Sequence, residues 1–221
     1  MIMKRNLFGF TLIEIAIVLV IIGLLLGGVL KGQELINSAK IKNLAGDFRN
    51  IPLFIYGYQD KFRALPGDDG NAANHINGGT ICAPAAAGLC ATGNGIIEGA
   101  WNATSISSES FVFWQHVRLA GLAPGPTDTS AADYLPKNAM GGAIGVTNAA
   151  NTAIAGLKGS YIICSDAIIG KFAKQLDITL DDGNTATGSM MITVAGTTAG
   201  GAAIATGSIV DDTPYLVCMG V

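Results

Sequence analysis

A chain of 221 residues can fill one sizeable domain and a long helix, but not two comfortable domains. Half of its residues are hydrophobic and only 13% are charged, a poor match to an ordinary soluble enzyme. The net charge of −3 is unevenly spread: up to Leu65 the balance is +4, and beyond it −7, which argues against nucleic acid as the main partner of the C-terminal part.

Lys4 and Arg5 precede an apolar run from Phe10 to Leu30, broken only by Thr11 and Glu14. As a helix this run is roughly 32 Å long, the thickness of a bilayer core. A conventional secretory signal would end in small residues after the run, and Gly27-Gly28-Val29-Leu30-Lys31 lacks that pattern. The basic leader lies before the run, so removing it would leave the apolar helix in the mature protein. Glu14 separates this helix from a plain anchor, because an ionisable residue within a span costs about 2.5 kcal/mol or more and calls for a partner.

Gly9-Phe10-Thr11-Leu12-Ile13-Glu14, with its basic leader and the apolar helix behind it, resembles the cleavage and methylation motif of type IV prepilins and type II secretion pseudopilins. The resemblance implies a leader at residues 1–9 and a cut between Gly9 and Phe10 by a prepilin peptidase and methyltransferase. It also implies an N-methylated Phe10 and a polymerisation helix over residues 10–30. Glu14 would then pair with the N-terminus of a neighbouring subunit during assembly. The implied partners are identical or related pilin subunits, an inner-membrane assembly platform and, before assembly, the lipid bilayer. The implied location is the bacterial inner membrane, with the head outside the cytoplasm, and then an extracellular pilus or periplasmic pseudopilus.

From Ile41 the residues Leu44, Phe48, Ile51, Ile55, Tyr58, Phe62 and Leu65 recur at alternating spacings of three and four, one stripe of an amphipathic helix. Residues 31–65 are therefore expected to continue the first helix and pack a head along its side, about 80 Å in all from Phe10. Pro52 is expected to bend it without ending it, because the stripe stays in phase. Ala64-Leu65-Pro66-Gly67-Asp68-Asp69-Gly70 carries turn chemistry and closes the helix. The runs Tyr58–Asp69 and Glu109–His116 are similar to stretches common in one group of prepilin-like proteins.

Residues 66–221 form the expected head. Ser107-Ser108-Glu109 starts a helix that Gly121 stops, with Phe111, Trp114 and Val117 facing inward and His116 half-exposed. Beyond residue 140 short β-like runs appear at Ser160–Cys164, Gln175–Leu180, Ser189–Val194, Ala203–Val210 and Pro214–Met219. Segments 121–159 and 195–202 are expected as surface loops. The fold class is α+β, a pilin-like arrangement of the long helix on an antiparallel sheet.

Four cysteines allow three connectivities, and Cys82–Cys90 with Cys164–Cys218 is expected, the second pair tying the last strand to the sheet. Disulfides place the head in an oxidising compartment. No G-x-S-x-G, P-loop, H-E-x-x-H or C-x-x-C pattern is present, so no enzyme, catalytic residue, metal or cofactor is expected. Asp68, Asp69, Asn71, Asn94 and Glu98 could offer oxygens to calcium, but their spacing does not fit an EF-hand and they read as solvated loop acids. The readings left are a pilin subunit of a type IV pilus, a pseudopilin, or a membrane-tethered adhesin that never polymerises.

Overall fold

The computed structural model describes residues 12–83 and 90–221. Two compact units divide the chain between Lys40 and Ile41, inside helix α1 (Leu12–Phe62). In the first unit, up to Lys40, α1 is apolar and solvent-facing, with Glu14 in its first turn. No break occurs at Gly27-Gly28, where an added Cβ would meet nothing within 4 Å.

The second unit, Ile41–Val221, is an α+β head. Its part of α1 buries Leu44, Phe48, Ile51, Ile55 and Tyr58, the predicted stripe, and Pro52 lies within the helix. The helix stops at Phe62, three residues before Leu65, with Arg63 at φ 56° in the left-handed region. Helix α2 (Ala72–His75) is one turn long, and α3 (Glu109–Leu119) is buried on every side. Such a helix belongs inside a core. Its end is a Schellman turn: Gly121, at φ 77°, donates to the Arg118 carbonyl and Leu122 donates to the Val117 carbonyl. Leu122 then packs at Gly57 of α1, where a Cβ would lie 3.0 Å from its methyl carbon.

Strands β1 (Ile144–Thr147), β2 (Ile162–Ile169), β3 (Met190–Val194) and β4 (Pro214–Gly220) form one antiparallel sheet in the order β1-β2-β4-β3. Cys164 and Cys218 face each other in the β2–β4 register and are joined by a disulfide, with Cα atoms 4.1 Å apart. The second disulfide joins Cys82 to Cys90.

Several expectations fail here. Gln175–Leu180 is no strand but the end of helix α4 (Gly170–Leu180). Phe172, Ala173, Leu176 and Asp177 share one buried face, and this helical period outweighs the β-branched Ile178 and Thr179. Ala203–Val210 is also no strand. Ile204 donates one hydrogen bond to the Ile192 carbonyl, and the chain then turns into a short 3₁₀ segment at Thr206–Ser208. Segment 121–159 is more than loop. It holds β1, all four residues of which are buried, and inserts Ala153, Ile154 and Leu157 into a second apolar cluster with Trp101. Gly145 makes β1 possible, since a Cβ there would overlap the Trp101 carbonyl.

Candidate functional site

Two features of the chain bear on function: the apolar half of α1, and a buried polar network in the head. Between Leu12 and Ile36 the large apolar side chains of α1 are exposed, from 46% at Ile22 to 89% at Leu12. Within this helix an 18-residue window reaches a mean hydropathy of 2.8 and is not buried at all, so it is long and apolar enough to cross a bilayer. Water is a poor solvent for such a surface; each exposed leucine or isoleucine gains roughly 1.5–3 kcal/mol when it is covered. Gly9 and Phe10 lie outside the described residues, and Glu14 sits on the exposed helix two residues after Leu12.

The head network is built by the turn after α1. Pro66, Gly67, Asp68 and Asp69 are all buried, so the aspartates are not the solvated acids that their loop position suggests. Asp68 points across to the Gly93-Asn94-Gly95 turn, and its carboxylate accepts the three successive backbone N–H groups. The glycines at 93 and 95, at φ 84° and 80°, let these amides converge as an anion-binding nest. Burial raises the Asp68 pKa, and the three amide bonds offset only part of that rise.

Asp69 is held differently. Its Oδ2 accepts from the Tyr58 hydroxyl at 2.7 Å and from His75 Nδ1 at 2.7 Å, and its Oδ1 accepts the Asn71 amide at 2.9 Å. Burial alone would raise its pKa; the bonds from His75, Tyr58 and Asn71 outweigh it and hold the carboxyl below its usual range. Burial, with Asp69 beside it, pushes the Tyr58 phenol far up. Asp68 and Asp69 are thus each held by three protein donors. Glu98 accepts from the Ala91 amide and from Asn94 Nδ2.

His116 is fully buried, not half-exposed as its place on α3 suggests. Gly67 N–H donates to its Nδ1 at 3.0 Å, so Nδ1 carries no proton; Nε2 must then be the N–H that meets the Thr80 carbonyl at 2.8 Å. A neutral imidazole fits this arrangement, and burial lowers its pKa accordingly. Close by, Glu109 opens α3. Its Oε2 accepts the Glu98 amide at 2.9 Å, while Oε1 is buried without a hydrogen-bond partner. Burial pushes this carboxyl up to about 8, the Glu98 amide opposing and the charges of Asp68 and Glu98 reinforcing the rise.

These groups touch one another and the backbone. Chemically they clamp three loops onto α1 and α3. Glu109, which the sequence marks only as a helix start, and Asn138 and Asp177, which it does not mark, are all buried polar residues. The hint at Glu109 is a carboxylate one residue ahead of Ser110 and the apolar run Phe111–Trp114.

A family model described as the prokaryotic N-terminal methylation motif matches residues 4–30. Comparison with curated proteins and with solved structures gave no match. Residues 4–30 thus match the N-terminal methylation motif, the class III signal-peptide pattern found in type IV pilins and pseudopilins; the matched stretch runs into the apolar start of α1, and the chain goes on to an α+β head with a four-stranded antiparallel sheet.

Proposed function

We propose that this chain is a structural subunit of a type IV pilus, assembled through α1 after its leader, residues 1–9, has been removed and Phe10 methylated. One observation carries the reading: the processing motif at residues 4–30 runs straight into a helix whose apolar side chains are exposed from Leu12 to Ile36. That surface requires a cover, and the two covers available to a processed, membrane-inserted helix are lipid and the equivalent helices of other subunits. Residues 10–30 serve as the membrane and polymerisation segment, 31–65 carry the head, and 66–221 are displayed. Two disulfides favour a head outside the cytoplasm. The partners are the prepilin peptidase, an inner-membrane assembly platform, and identical or related subunits.

Glu14 has a specific part in this reading. After cleavage Phe10 bears a positive amino group near hydrocarbon, where a lone charge is costly and attraction is weakly screened. Glu14 of a subunit already in the filament neutralises the amine of the incoming one and fixes its axial register. Expressing Glu14→Ala tests this: cleavage and membrane retention stay normal, while sheared surface fibres, seen by electron microscopy and identified by mass spectrometry, are few or absent. Abundant fibres of normal geometry refute charge pairing. Wild-type fibres that never leave the periplasm favour the pseudopilin reading, and a processed wild-type chain that forms no fibres favours a tethered adhesin.

A further inference from the structure

At the far end of α4 a carboxylate is buried without a well-formed hydrogen bond to either oxygen. Asp177 is fully buried in the last turn of the helix, and neither of its oxygens has a hydrogen-bond partner. The Gly183 amide lies toward it and favours its charge, but without a hydrogen bond to either oxygen. Its position is unfavourable twice over, since the C-terminal turn of a helix carries the negative end of the helix dipole.

Asp181 and Asp182 follow directly, and one carboxylate oxygen from each of the three aspartates lies within 4.8 Å of the others. Asp181 already accepts from Ser189 Oγ at 3.0 Å and from the Met190 amide at 2.8 Å; Asp182 accepts from the Asn184 amide at 2.8 Å and Thr187 Oγ1 at 3.2 Å. Each of these oxygens keeps a lone pair to spare. Gly188 leaves room for the Asp181 carboxylate, which a Cβ there would overlap. No basic side chain forms an ion pair with any of the three among the described residues; the nearby Lys171 and Lys174 pair with Asp212 and Asp211.

We propose that Asp177, Asp181 and Asp182 form a binding site for a divalent cation of the hard, oxygen-loving class, calcium in preference to magnesium. Three converging carboxylates without a counter-charge, one of them buried with no well-formed hydrogen bond, are the ligand set such an ion satisfies. Calcium suits the site better, because it takes irregular oxygen shells and sheds water readily, whereas magnesium holds its water and demands an octahedron. The ion ties the end of α4 to the start of β3 through Asp181, which also receives the Met190 amide. Its effect is to fix the outer strand of the sheet, which pairs with β4 along Met190–Val194.

The test uses the full-length chain in detergent, stripped with EDTA and titrated with calcium chloride, then with magnesium chloride, by calorimetry and by thermal unfolding. The expected result is one calcium ion per chain with an affinity of about 10⁻⁴ to 10⁻³ M or tighter, and an unfolding temperature that rises with calcium. Asp182→Asn, an exposed change that leaves the core intact, weakens binding by about tenfold or more, and Asp177→Asn does the same. In EDTA the Asp177→Asn chain unfolds no earlier than wild type, because a buried uncompensated charge has been removed. An unfolding temperature that ignores about 10 mM calcium overturns the proposal, as does binding that both variants leave unchanged. A rise in the stability of Asp177→Asn together with calcium indifference of the wild type overturns it too, and makes Asp177 a buried neutral acid.

Discussion

Replacing Glu109 with glutamine probes the most strained carboxylate of the head network. Its folded pKa is about 8, against 4.5 for the free side chain, so the folded head holds a proton that the unfolded chain has lost throughout that interval. Stability therefore falls as pH rises from about 4.5 to 8 and levels off above it. Other groups crowd the lower part of that window. Asp47 and Asp177, both raised by burial to about 6, lose stability over the same direction up to that pH. His116, whose pKa burial lowers, acts oppositely: its contribution is full above the unfolded value of 6.5 and is lost as pH falls. Between pH 6.5 and 8 Glu109 dominates, and its ionisation there removes about 1.5 kcal/mol. With a denaturant slope of about 2 kcal/mol per molar urea, the midpoint drops by roughly 0.7 M across the window. Fluorescence of the buried Trp101 and Trp114 reports the transition. Glu109→Gln, which cannot ionise, has a much flatter midpoint from pH 6.5 to 8, with Asp68, also raised by burial, acting in the same direction. A wild-type midpoint that stays level, or a variant that keeps the wild-type slope, refutes the assignment of a proton to Glu109.

The mature protein has an intact mass lacking residues 1–9 and carrying one added methyl group; a chain that retains Lys4 and Arg5 refutes the processing reading. Replacing both Cys164 and Cys218 with serine costs about 4 kcal/mol in the chain-entropy picture, and the Cys82, Cys90 double variant about 2.5 kcal/mol, because the closed loops differ in length. Urea midpoints of the two variants give the order, which the reverse ranking overturns. Gly145→Ala destabilises the head by about 1–3 kcal/mol, since the new methyl group meets the Trp101 carbonyl in β1. An unchanged thermal midpoint contradicts that tight approach.

The residues themselves determined the parts of this protein that rest on local chemistry. Leader charge, Gly9, Phe10 and Glu14 carry the motif because each lies within a few residues of the next, and the match at residues 4–30 covers the same stretch; processing at that motif is the proposed step. The stripe from Ile41 to Leu65 likewise fixes which face of α1 is buried, since helical period is written in spacing. Sheet membership is different, because a strand is chosen by partners distant in sequence. Gln175–Leu180 has β-branched residues yet folds as helix, its Phe172 and Leu176 finding the core one turn apart. Ile144–Thr147, unremarkable by composition, becomes a buried strand because β2 offers it an edge and Gly145 clears Trp101. Only the tertiary structure decided the polar interior. Asp68 reads as a solvated loop acid, His116 as a half-exposed helix residue and Glu109 only as a helix start, since nothing nearby in sequence shows that Gly93–Gly95, Gly67 and Thr80 would arrive to bind or enclose them. A buried polar group is defined by the loops that close over it, and those closures span from 11 residues, for Glu109 and Glu98, to 49, for Gly67 and His116.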